Sequence, residues 1–133
     1  MGGKKVFEYF FDIETDEGFN GNVIYIHLFG KNIDVGFKNE KRFVEFILTR
    51  ALMYSRTKFF FYAHNGGAFD FVRLFPSLFS ILGKPKKIIN RHGNVIRIEF
   101  EVKSNRIIFQ DTYPLIPLPL KKFHGFNPTL VLF

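Results

Sequence analysis

From residue 5 the chain reads Lys5-Val6-Phe7-Glu8-Tyr9-Phe10-Phe11-Asp12-Ile13-Glu14-Thr15, and this stretch has the character of a β-strand. The apolar run Tyr9-Phe10-Phe11 leads straight into two acids separated by one residue. Side chains alternate along a strand, so Asp12 and Glu14 project from one face while Ile13 points the other way. The apolar surroundings predict a central, partly buried position. Two carboxylates this close resist joint ionisation unless a cation lies between them, and burying them unpaired is costly. A divalent metal resolves both costs. The plain alternative, an acidic pair at an edge or turn, stays open for Asp12 and Glu14 taken alone.

Outward from this strand, Asp16-Glu17-Gly18 and Asn20-Gly21 have turn chemistry. A β-rich segment over 22–29, a turn at Gly30-Lys31-Asn32 and a return over 33–37 read as a hairpin. Asn39 is placed to cap a helix over 40–54, whose apolar residues Phe43, Val44, Ile47, Leu48, Ala51 and Tyr54 follow helical spacing. Residues 58–62 form a continuous apolar run and predict a short buried strand. A helix is expected from near Ala68. Pro76 predicts its interruption, with a second short helix starting there and Gly83 beyond its end. Strands over 86–90, 95–102 and 106–111 are joined by turns at His92-Gly93-Asn94 and Lys103-Ser104-Asn105. Pro114, Pro117 and Pro119 impose an extended loop on the 112–133 tail, with a helical turn over 120–124. The order of elements predicts one domain over 1–133, of α/β class, a mixed sheet with helices on its faces.

The 133 residues suffice for one core and are too few for a multidomain enzyme. Apolar residues make up 47% and charged residues 23%, which excludes a disordered chain. No run of 18 apolar residues occurs, so no membrane-spanning helix is expected. The absence of Cys excludes disulfide scaffolds and thiolate metal sites. Phe occurs 20 times; an A/T-rich coding bias with Phe as core filler accounts for that. The net charge of +7 is concentrated in the second part: residues 84–133 carry nine Lys/Arg against three acids. This fits a polyanionic partner, and equally a charged, solvated surface.

Asp70 is the third acid of interest. It follows Asn65-Gly66-Gly67-Ala68-Phe69 and falls in the first turn of the expected helix, where the helix dipole favours an anion. Simple capping explains it by itself. In combination, Asn65 offers an amide, the two glycines allow close backbone approach to a ligand, and Phe69 offers a stacking face for a base.

Phe11-Asp12-Ile13-Glu14-Thr15 resembles the first exonuclease motif of the family B DNA polymerases, and His64-Asn65-Gly66-Gly67-Ala68-Phe69-Asp70 resembles the second. Phe109-Gln110-Asp111-Thr112-Tyr113, continuing through Pro117-Leu118-Pro119-Leu120-Lys121-Lys122-Phe123, is similar to a segment particular to the protein-primed branch of phages and linear plasmids. The resemblance covers residues 6–123. It implies a ribonuclease-H-like fold and a 3′→5′ exonuclease domain with two divalent metals, Mg²⁺ or Mn²⁺. Asp12, Glu14 and Asp70 match the catalytic, metal-binding acids. Thr15, His64, Asn65, Phe69, Thr112 and Tyr113 match single-stranded DNA contacts, with Tyr113 in place of the more usual Leu. Asp111 belongs to the same motif and reads as structural. The implied partners are single-stranded DNA, a polymerase chain or a terminal protein, and no membrane. The implied location is the cytoplasm, that of the host for a viral protein.

The family's third motif, a Tyr followed by a fourth Asp, has no counterpart: no Asp or Glu follows Asp111 and no Tyr follows Tyr113. The chain therefore reads as truncated before that motif. The expectation is a weakly active or inactive exonuclease-like domain. The alternative is a non-catalytic single-stranded DNA-binding accessory protein derived from it.

Overall fold

The computed structural model describes residues 5–15, 23–63 and 70–112. Strand β1 (Lys5–Thr15) alternates as a half-covered strand must: Tyr9, Phe11 and Ile13 are buried, while Glu8 and Glu14 are exposed and Phe10 and Asp12 half-buried. Next come β2 (Val23–Gly30) and β3 (Ile33–Phe37), then helix α1 (Glu40–Leu52) and strand β4 (Thr57–Ala63). Helix α2 (Asp70–Leu82) and strands β5 (Lys87–Arg91), β6 (Asn94–Val102) and β7 (Asn105–Asp111) complete the order. The seven strands form one mixed sheet, β3-β2-β1-β4-β7-β6-β5. The β1–β4 and β4–β7 pairs are parallel and the others antiparallel. A mixed sheet with helices is the expected class, and it is consistent with a ribonuclease-H-like fold.

This order explains where the core lies. The path β3–α1–β4 and the path β4–α2–β5 both join parallel strands, and both move the same way across the sheet. Right-handed crossovers then put both helices on one face. Burial agrees: Phe43, Val44, Ile47 and Ala51 of α1 and Leu74 and Leu78 of α2 cover Phe11, Ile26, Leu28, Phe59, Phe61, Phe100 and Phe109. The abundant Phe is core filler here. The other face carries no described helix. It presents a row of half-buried rings, with Phe29 against Phe10 at 6.2 Å, Phe10 against Tyr62 at 5.4 Å and Tyr62 against Phe60 at 5.8 Å.

Local chemistry sets the ends of the elements. Asn39 caps α1, its Oδ1 accepting from the Arg42 N–H at 2.9 Å. The β5–β6 turn needs positive φ at both His92 (52°) and Gly93 (83°), the signature of a type I′ hairpin. Gly83 follows α2 at φ 90°. Pro76 departs from expectation. It sits inside a single α2 running from Asp70 to Leu82 and does not divide it. Its ring is exposed, and fully buried Leu74 and Leu78 on either side hold the helix to the sheet. Tertiary burial outweighs a local cost of about 3 kcal/mol. The expected helix start near Ala68, and the 113–133 tail with its helical turn, lie outside the described residues.

Candidate carboxylate site

Asp12 and Glu14 stand near the C-terminal end of β1, the third strand of the sheet, on the face without a described helix. The parallel ladder with β4 reaches Phe10, paired with Tyr62, so Asp12 lies just past the last paired rung on that side. On the other side Asp12 faces His27 and Glu14 faces Tyr25 across β2. The register shifts between Glu14 and Thr15; such bulges end pairing and re-aim side chains beside sites. Carboxyl ends of parallel strands are where open α/β sheets bind ligands.

The electrostatics follow from this placement. The Asp12 carboxyl is held above its ordinary value near 3.8, first by burial and then by the neighbouring Glu14 charge. A hydrogen bond from the Ile13 backbone and the nearby His27 pull it back in part. Asp12 is thus a carboxylate short of positive charge, and a proton or a cation relieves it. His27 Nε2 lies 2.5 Å from Asp34 Oδ1 of β3, and its ring contacts Phe29 at 5.0 Å. Sequence reading missed His27. Its place on one face with Tyr25 and Phe29 was visible in the alternation, but its position opposite Asp12 depends on the β1–β2 register.

The other predicted residues divide by element. Asp70 is the first residue of α2, which follows β4. The chain therefore leaves β4 at Ala63 and re-enters at Asp70 from the sheet end that holds Asp12. The Asp70 and Thr15 side chains lie outside the described part, as do His64, Asn65, Phe69 and Tyr113. Thr112, half-buried, donates its N–H to the Ala63 carbonyl at 3.0 Å. Asp111 pairs with Ala63 in the β4–β7 ladder and is 3% exposed. The ends of β1, β4 and β7 thus meet at one edge of the sheet. Among the described residues no three His, Asp or Glu side chains form a metal-holding group; the predicted group includes Asp70. Two oxygen donors on one face, one of them with raised proton affinity, suit a hard divalent cation.

The sequence profile of the family described as DNA polymerase type B, organellar and viral, matches residues 48–127. The match runs from the second half of α1 through β7 and takes in Asp70, Asp111 and Thr112. No curated protein matches the chain.

Proposed function

The chain belongs to the organellar and viral type B DNA polymerase family, and on that premise we propose that it is a 3′→5′ exonuclease-like domain of the protein-primed kind, which holds single-stranded DNA against a divalent metal. The observation that carries this reading is the half-buried Asp12, raised in proton affinity beside Glu14 at the carboxyl end of a central strand. Asp12, Glu14 and Asp70 would hold Mg²⁺ or Mn²⁺. Such a cation, when bound, polarises a scissile phosphate and lowers the pKa of a water. Thr15, His64, Asn65, Phe69, Thr112 and Tyr113 would seat the strand, with Phe69 and Tyr113 stacking on bases. Further partners are a polymerase chain or terminal protein, and the site of action is the cytoplasm, that of the host for a viral protein.

These residues include three matching acids, so the 133-residue chain is expected to cleave weakly or not at all and to bind single strands regardless. Loss of a water-positioning or proton-transfer group costs about 10²–10⁴-fold in rate. Two measurements test the reading. The first follows an end-labelled single-stranded oligonucleotide with Mg²⁺ or Mn²⁺. Activity should be faint, greater with Mn²⁺, and absent in Asp12→Ala/Glu14→Ala. The second is calorimetric titration of Mn²⁺. Equal heats for wild type and Asp12→Ala, together with equal affinity for single-stranded and blunt duplex DNA, would defeat the proposal.

A further inference from the structure

At the other end of the sheet, where β4 and β7 begin, a cavity of about 270 Å³ opens between Arg56, Lys58 and Arg106. That is several times the roughly 30 Å³ of one water. Its floor is rigid. Thr57 and Asn105 are each 1% exposed, and the Asn105 amide accepts from the Thr57 N–H at 3.0 Å while donating to the carbonyls of Ala51 and Tyr54 at 2.7 and 2.8 Å. Arg56 is fixed in the left-handed region at φ 53°, and its N–H donates to Ser104 Oγ at 3.1 Å. Ser104 thereby keeps its hydroxyl proton as a donor.

The charges are the unusual part. Lys58 and Arg106 are directly paired across the β4–β7 ladder, and like charges so placed destabilise a sheet. The nearby acids are already engaged. Glu101, which also lines the cavity and stands opposite Arg106 in the β6–β7 ladder, has its carboxylate engaged by Lys86 at 3.1 Å. Glu99 makes its short contact with Arg97 at 2.7 Å and reaches Arg106 only at 3.4 Å. Among the described residues neither Arg56 nor Lys58 has an acidic partner. Lys5 of β1 pairs with Thr57, so the cavity lies about 20 Å along β1 from Asp12, at 3.3 Å per residue.

We propose that this cavity is a phosphate-binding site, separate from the carboxylates, for a phosphodiester of a nucleic-acid strand or the phosphate of a free nucleotide. Guanidinium groups bind phosphate oxygens through forked hydrogen bonds, and a dianion or diester between Arg56, Lys58 and Arg106 removes the like-charge penalty. It draws on both parts of the chain, so the uneven charge along the sequence does not reveal it.

The test compares wild type with Arg56→Asn/Lys58→Gln; Asn tolerates the left-handed backbone. One arm follows the anisotropy of a labelled single-stranded oligonucleotide as a function of salt. The other titrates dAMP and inorganic pyrophosphate by amide NMR. For a strand phosphodiester, the double variant should lower the salt slope by about 0.7, the value for one neutralised phosphate. For a free nucleotide, the amide shifts at Thr57, Ser104 and Asn105 seen with dAMP or pyrophosphate should vanish in the variant. Lys58→Arg should retain either behaviour, and both arms are run without divalent metal, which separates this site from the carboxylate reading. Unchanged slope and unchanged shifts in the double variant, with superimposable thermal melts, would overturn the proposal. So would a polyglutamate peptide that binds this surface more tightly than any phosphate ligand.

Discussion

Replacing Asn105 by Ala should remove a large part of the stability of this domain. Asn105 is 1% exposed and ties the end of α1 to the starts of β4 and β7 through its three side-chain hydrogen bonds. The Ala51 carbonyl also accepts from the Met53 and Tyr54 N–H groups, so it stays satisfied. The Thr57 N–H and the Tyr54 carbonyl lose the partner that Asn105 supplies. A buried group left unpaired costs about 1–3 kcal/mol, and Tyr54, only half-buried, falls at the low end. The expected loss is about 2–4 kcal/mol, against the roughly 5–15 kcal/mol of a typical domain. Urea unfolding followed by circular dichroism should show a lower midpoint with an unchanged slope. Asn105→Asp should be at least as damaging at neutral pH, because it keeps the acceptor for Thr57 but sets an anionic oxygen against two carbonyls. A change below about 0.5 kcal/mol in Asn105→Ala would refute the reasoning.

Three further outcomes are expected. Asp12→Asn should stabilise the metal-free protein at neutral pH. The folded state raises the Asp12 pKa, so it binds that proton more tightly than the unfolded chain. The penalty is absent below the ordinary value near 3.8 and grows as pH rises through the folded value. Thermal melts without divalent ions should show the gain at pH 7 and none at pH 3; a loss at pH 7 would contradict the burial argument. Gly30→Ala should cost about 1–3 kcal/mol, because a Cβ there would lie 2.8 Å from the Glu8 carbonyl oxygen and 2.9 Å from Tyr9 Cδ1; an unchanged urea midpoint would contradict that close approach. Pro76→Ala should raise stability by about 1–3 kcal/mol by restoring a helical donor in α2, read as a higher thermal midpoint.

Several features of this protein were legible in the residues alone because they are local. The alternation of β1 put Asp12 and Glu14 on one face, Asn39 announced the start of α1, and Lys31-Asn32 and His92-Gly93 marked tight turns. Periods of 2.0 and 3.6 and the conformational limits of a few residue types are enough for such readings. Strand order is different. That β7 and not β5 lies against β4, that Asp12 faces His27, and that both helices share one face depend on which apolar surfaces meet. Pro76 shows the same limit from the other side, since its local veto yields to the burial of Leu74 and Leu78. The cavity at Arg56, Lys58 and Arg106 unites residues about 50 positions apart, and Asn105, which no sequence motif singles out, holds its floor. Sequence period fixes which face a side chain takes. Only packing of the whole sheet decides what stands opposite it.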